Sequence, residues 1–156
     1  TRNIDVNIPA GVDGDSRLRV KGEGEYGTGG RGDLYIYINL KKHPVFQRSG
    51  IDLHLELPVS FVKASLGADV SVPTLTGNVS MKIPAGTQSG KIFRLREKGM
   101  PDLHSNGRGD QYVRVMIQVP TNLSSEQRRI LAEYARVSGE EISDESFSEK
   151  IKKVFK

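Results

Sequence analysis

The chain has 156 residues, of which 36% are hydrophobic and 27% charged, and its net charge is +4. That is room for one domain or two small ones of a soluble class. The absence of Cys excludes a disulfide scaffold and a thiolate metal site, and no Lys/Arg run with interleaved aromatics supports a nucleic-acid groove. No apolar run is long enough to cross a membrane and nothing at Thr1 resembles a signal peptide, so a soluble, cytoplasmic setting without membrane contact is expected. The missing initiator Met suggests a fragment or a processed chain.

Seventeen Gly and seven Pro fit a turn-rich β protein. Ile4-Asp5-Val6-Asn7-Ile8 alternates as a half-wet strand should, and Pro9-Ala10-Gly11 with Asp13-Gly14-Asp15 marks a turn. Leu18-Arg19-Val20 reads as a second strand. Gly22 to Gly32 reads as a loop, and Leu34 to Leu40 as a strong strand. Lys41-Lys42-His43-Pro44 closes this segment. The next begins near Phe46, and Asp52 to Pro58 alternates cleanly. A short helix over Ser60–Leu66 ends at Gly67. Val70–Val72, Val79–Ile83, Phe93–Leu95 and Tyr112–Val119 supply further strands, which bury their apolar faces best as two layers.

The last third is helical. Ser124-Ser125-Glu126-Gln127 matches a capping box, followed by an Ile130, Leu131, Tyr134 face that ends near Gly139. A final helix capped by Ser146, with Glu149 three residues on, places Phe147, Ile151, Val154 and Phe155 on one 3.6-residue stripe. Acidic residues lead it and lysines follow, the polarity that the helix dipole favours. So short a helix needs a partner to pack on.

A long-period duplication runs through the sequence. Ile8-Pro9-Ala10-Gly11 reappears as Ile83-Pro84-Ala85-Gly86, Arg19 and Gly24 recur as Arg94 and Gly99, and Arg31-Gly32-Asp33 recurs as Arg108-Gly109-Asp110. Two copies of a long unit indicate a duplicated domain, not a solenoid. The paired Arg-Gly-Asp triplets therefore read as structural turns feeding strands, not as an adhesion signal. Gly22-Glu23-Gly24-Glu25-Tyr26-Gly27 spells G-x-G-x-x-G, but a dinucleotide site needs that turn to open a helix, and Thr28-Gly29-Gly30 cannot begin one. His43, His54 and His104 lack metal-ligand spacing, and no nucleophile or carboxylate pair recommends itself. Neither catalysis nor a cofactor or metal is expected.

With its ordered motifs the chain resembles the C-terminal substrate-binding region of DnaJ-type J-protein co-chaperones. The matching pieces are the two Ile-Pro-Ala-Gly segments, Val72-Pro73-Thr74-Leu75-Thr76-Gly77, Gly86-Thr87-Gln88-Ser89-Gly90, Arg94 to Gly99 and Gly109-Asp110. His43-Pro44-Val45-Phe46-Gln47-Arg48-Ser49-Gly50 matches the junction between that family's two β-domains. The resemblance implies a mostly β fold: tandem two-layer β-sandwich-like domains, the first truncated, with short helices and a C-terminal dimerisation helix. It places the back half of the first β-domain at 1–44, the second at 45–123, a helix at 124–138, and a linker with the dimerisation helix at 139–156. It further implies binding of non-native polypeptide for delivery to a DnaK-type ATPase chaperone, and a homodimer formed through Phe147, Ile151, Val154 and Phe155. Carried over by motif, the peptide-binding strands hold Leu55 and Leu57 facing Val70 and Val72, with Thr74 turned the same way and Phe46 from the junction. The alternative is a structural fragment that self-associates without independent peptide binding. The family's J-domain and its Cys-rich zinc module are absent from the sequence, and His43-Pro44-Val45, lying between strands, is no J-domain tripeptide.

Overall fold

The computed structural model describes residues 3–142. The predicted cap Ser146 and the stripe of Phe147, Ile151, Val154 and Phe155 lie outside the described residues. The chain divides into two compact units, residues 1–118 and 119–156. It is mostly β, as the strand-rich reading of the sequence requires.

In the first unit, β1 (Arg17–Val20) pairs antiparallel with β4 (Leu34–Tyr37), Arg19 opposite Tyr35 and Val20 opposite Leu34. Alternation decides the faces: Leu18, Val20, Leu34 and Ile36 turn inward, while Arg17, Arg19, Tyr35 and Tyr37 face water. The glycine-rich stretch between them is not simply a loop. It folds into a hairpin of β2 (Tyr26–Gly27) and β3 (Gly30–Arg31), with the Arg31 guanidinium 4.8 Å above the Tyr26 ring. The strand expected at Ile4–Ile8 does not form. No strand among the described residues pairs with this segment, and Ile8 stays exposed, so alternation alone leaves its backbone groups to water.

The rest of this unit is two layers. One is a four-stranded sheet in the order β5 (Gln47–Ser49), β6 (Asp52–Ser60), β10 (Gln111–Gln118), β9 (Ile92–Leu95). Strands β6 and β10 run parallel, Leu53 beside Gln111 and Leu57 beside Val115, whereas both outer pairs are antiparallel. The crossover between the parallel strands carries helix α1 (Phe61–Leu66), capped by the Ser60 hydroxyl accepting from the Lys63 amide. It also carries the second layer, a hairpin of β7 (Ala68–Thr74) and β8 (Gly77–Ile83), with Val72 opposite Val79. Leu55, Val59, Ala64, Val72, Met81, Ile83, Val113 and Val115 meet between the layers as one core.

One polar side chain is sealed inside. Gln111 has no exposed surface; its Nε2 donates to the Pro73 carbonyl at 2.8 Å and so ties β10 to β7. Its Oε1 has no hydrogen-bond partner among the described residues.

The second unit contains helix α2 (Ser125–Ser138). The predicted capping box is present: the Ser124 hydroxyl accepts from the Gln127 amide at 3.2 Å, and Gln127 Oε1 accepts from the Ser124 amide at 2.9 Å. Gly139, at φ 73°, ends the helix in the left-handed conformation. Arg129 and Arg136 each pair with a glutamate three residues earlier, Glu126 and Glu133. Ile130, Tyr134 and Val137 are exposed. No helix among the described residues is long and apolar enough to cross a membrane.

Candidate functional site

The duplication seen in the sequence is also a duplication of atoms. Asp33 accepts from the Gly22 amide at 2.9 Å through Oδ1 and from Arg19 Nε at 2.6 Å through Oδ2. Asp110 accepts from the Glu97 amide at 2.8 Å and from Arg94 Nε at 2.6 Å in the same way. Gly24 donates to the Gly32 carbonyl and Gly99 to the Gly109 carbonyl, both at 2.8 Å. The backbone at Gly22 has φ 68° and at Glu97 φ 57°. A conformation that favours glycine is therefore imposed on a glutamate in the second copy, where Asp110 grips its amide. Both Arg-Gly-Asp triplets are thus used within the fold, their carboxylates closing a turn.

These bonds set an acid limb. The Gly22 amide first, then Arg19, hold the Asp33 carboxyl below its ordinary value of 3.8; the Glu97 amide does the same for Asp110, helped by Arg94. Since the folded values are depressed, the stabilisation is present above the unfolded value and disappears as pH falls through the folded ones. The double variant Asp33→Asn, Asp110→Asn is expected to be less stable at neutral pH and to lose less stability on acidification below about pH 4. Urea midpoints across a pH series test this, and an acid limb identical to that of the parent protein would refute it. The flattening is partial, because Asp13 and Asp102 also have lowered values.

The junction is built around His43. Its Nδ1 accepts from the Val45 and Phe46 amides at 3.1 and 3.2 Å, and its ring lies 5.1 Å from that of Phe46. Two residues on, Arg48 donates to the carbonyls of Gly11, Val12 and Gly50, fastening the N-terminal turn to the sheet. Beside these residues runs a groove of about 610 Å³, in which Leu40, Phe46, Leu53, Leu75 and Met100 supply apolar wall and Lys41 and Lys42 the cations.

The structure sorts the six predicted peptide-contact residues into two groups. Leu55, Val72 and Thr74 are buried, Val72 completely, and the Thr74 hydroxyl is spent on the Gly77 carbonyl at 2.5 Å. They build the core, and the expectation that these three stay open to a visiting strand is corrected. The reason is the packing of the β7–β8 hairpin, which carries Val72 and Thr74, against the sheet that carries Leu55. Phe46, Leu57 and Val70 pack against the same core and remain half exposed. Leu55 and Leu57 do share a face, but of the two only Leu57 keeps open surface, although Val59 beyond it is buried again. Leu40, Leu53, Leu75 and Met100 were not anticipated as groove residues; only Leu75 carried a signal, lying in the Val72–Gly77 motif.

Two of the histidines have local partners: His54 stacks on Tyr112 at 5.3 Å, and His43 is engaged at the junction. No group of three or more metal-ligating side chains occurs among the described residues.

Fold and site define a two-layer β module preceded by a partial repeat of its carboxylate turn, with an apolar groove beside His43 and Phe46. Residues 1–120 match the family described as DnaJ C terminal domain, and residues 126–156 that described as Chaperone protein DnaJ C-terminal region. The chain belongs to the DnaJ C-terminal domain family and corresponds to the C-terminal region of DnaJ-type proteins. Chaperone protein DnaJ of Opitutus terrae is 53% identical over 99% of this chain, that of Clostridioides difficile 45%, and that of Brevibacillus choshinensis 48%, each over 99% as well. Those alignments cover 42%, 41% and 43% of the relatives, so the chain spans less than half their length.

Proposed function

We propose that this region holds unfolded or non-native polypeptide in extended form, for transfer to a DnaK-type chaperone in the cytoplasm, and that it acts as a homodimer joined through Phe147, Ile151, Val154 and Phe155. In this reading residues 1–44 are the back half of a first β-domain and 45–123 a second. It is a binding role, without catalysis. The observation that carries it is the free edge of β7: among the described residues this strand pairs with β8 alone, and the partly open Val70 and Leu57 pack on the core. A visiting strand can gain main-chain hydrogen bonds at such an edge while its alternate side chains meet the apolar surface. Pro73 in β7 fits an edge position, because proline lacks an N–H.

The sealing of Leu55, Val72 and Thr74 favours the rival, a region that only self-associates. A calorimetric titration with an extended apolar peptide separates the two. Saturable binding that weakens by about tenfold in Leu57→Asp and in the milder Phe46→Ala, with the far-ultraviolet dichroism of both retained, supports capture. No binding by the parent protein leaves self-association alone.

A further inference from the structure

The turn from Asp102 to Gly107 has no part in the groove or in the core, yet its side chains are arranged in series. Ser105 Oγ donates to Asp102 Oδ2 at 2.7 Å, and the Gly107 amide donates to the same Ser105 oxygen at 3.2 Å. The turn is closed by Asp102 N donating to the Gly107 carbonyl at 3.0 Å, and Asp102 Oδ1 is engaged by the His104 amide at 3.0 Å. Between Ser105 and Gly107 sits Asn106, exposed, its amide group without a hydrogen bond among the described residues. The sequence has six asparagines: Asn3, Asn7, Asn39, Asn78, Asn106 and Asn122. Only Asn106 precedes glycine; the others precede Ile, Leu or Val, whose branched side chains screen the following amide nitrogen.

We propose that Asn106–Gly107 is a self-modifying site, at which the Asp102–Ser105 pair assists loss of the Gly107 amide proton so that this nitrogen closes on the Asn106 side chain. A hydroxyl that donates to a carboxylate is a better acceptor, and the amide N–H it receives is the one that must ionise. The Gly107 nitrogen attacks Cγ of Asn106, forming a new C–N bond. The bond between Cγ and Nδ2 of Asn106 then breaks, and the amide group leaves as ammonia with the displaced proton. Water opens the resulting succinimide at either carbonyl, giving aspartate or isoaspartate at 106. The balance is amide plus water to carboxylate plus ammonium, with no oxidant or reductant. Glycine contributes by lacking the Cβ that would obstruct the approach.

The product matters locally. A new carboxylate arises two residues from Arg108, whose Nη1 donates to the Gly99 carbonyl at 3.3 Å. The isoaspartyl form lengthens the backbone inside the ring closed by Asp102 and Gly107.

The test is incubation of the whole protein in mildly alkaline buffer, followed by tryptic mapping. Cleavage after Lys98 and Arg108 isolates Asn106 as the sole asparagine of its peptide. That peptide is expected to gain the mass difference between NH and O and to split into two isomers, while peptides holding Asn39, Asn78 and Asn122 stay unchanged. Ser105→Ala and Asp102→Asn should each slow the conversion several-fold in the folded protein and leave it unaltered in urea, where the turn is lost. Conversion at Asn106 no faster than at the other asparagines overturns the site. Equal or faster conversion in the folded Ser105→Ala variant overturns the assisted proton transfer.

Discussion

Gly109→Ala is expected to lower the stability of the first unit by about 3 kcal/mol, because a Cβ at this position has no room and its neighbours cannot retreat. It would stand 2.1 Å from the Ile51 carbonyl oxygen, 2.5 Å from its carbon and 2.8 Å from Asp52 Oδ1. All three are held in place. The Ile51 oxygen accepts from the Met100 amide at 2.8 Å, and Asp52 Oδ1 accepts from the Asp110 amide at 2.7 Å. The next residue, Leu53, donates to the Asp110 carbonyl at 2.9 Å, the first rung of the parallel pairing between β6 and β10. Relief of the clash therefore means parting the two central strands at their start. Gly29→Ala is the control, since nothing lies within 4 Å of its added carbon, and its effect should stay within about 0.5 kcal/mol. Urea denaturation with an unchanged slope and a displaced midpoint is the readout. A Gly109→Ala midpoint equal to that of the parent protein would show that β6 and β10 are not locked as described.

The second large effect concerns the C-terminus. On the proposed self-association, removal of residues 144–156 is expected to convert a dimer into monomers in sedimentation, because Phe147, Ile151, Val154 and Phe155 recur at the spacing of one apolar helix face. Its consequence for binding should depend on the ligand. A peptide that fills one site should bind the truncated protein as well as the full one. A long unfolded polypeptide that reaches both protomers should bind about a hundredfold more weakly, since the second contact is no longer intramolecular. Unchanged sedimentation would remove these four residues from any interface. Equal losses for short and long ligands would mean that truncation harms the site itself.

Much of this architecture was legible in the sequence. The capping residues Ser124 and Gln127 marked the start of α2 because their bonds are local and need no tertiary partner. The alternation in β6 and the glycine after α1 were equally local. The duplication was visible as repeated letters, and the structure adds the cause: Arg19–Asp33 and Arg94–Asp110 recur because each pair is one copy of the same carboxylate grip. Non-local facts were hidden. Ile4–Ile8 has a strand's pattern without a strand's partner. Period two put Leu55 and Leu57 on one face but could not say which of them tertiary packing would seal; Leu55 is buried and Leu57 is partly open. Glu97 carried no signal of its left-handed backbone, since the residue type argues against it and only the amide's acceptor, Asp110, explains it.

The parallel union of β6 and β10 also bears on the order of assembly. Asp52 and the Asp110 amide it holds are 58 positions apart, so this rung closes only after the whole intervening crossover has been laid down. The β7–β8 hairpin, joined by two residues, can zip up within microseconds, and α1 sooner still. During synthesis the greasy side of β6 therefore waits for the last strand to leave the ribosome. Truncations ending between Ile83 and Gln111 should yield a nascent polypeptide with a ready hairpin but without the β6–β10 pairing it packs on.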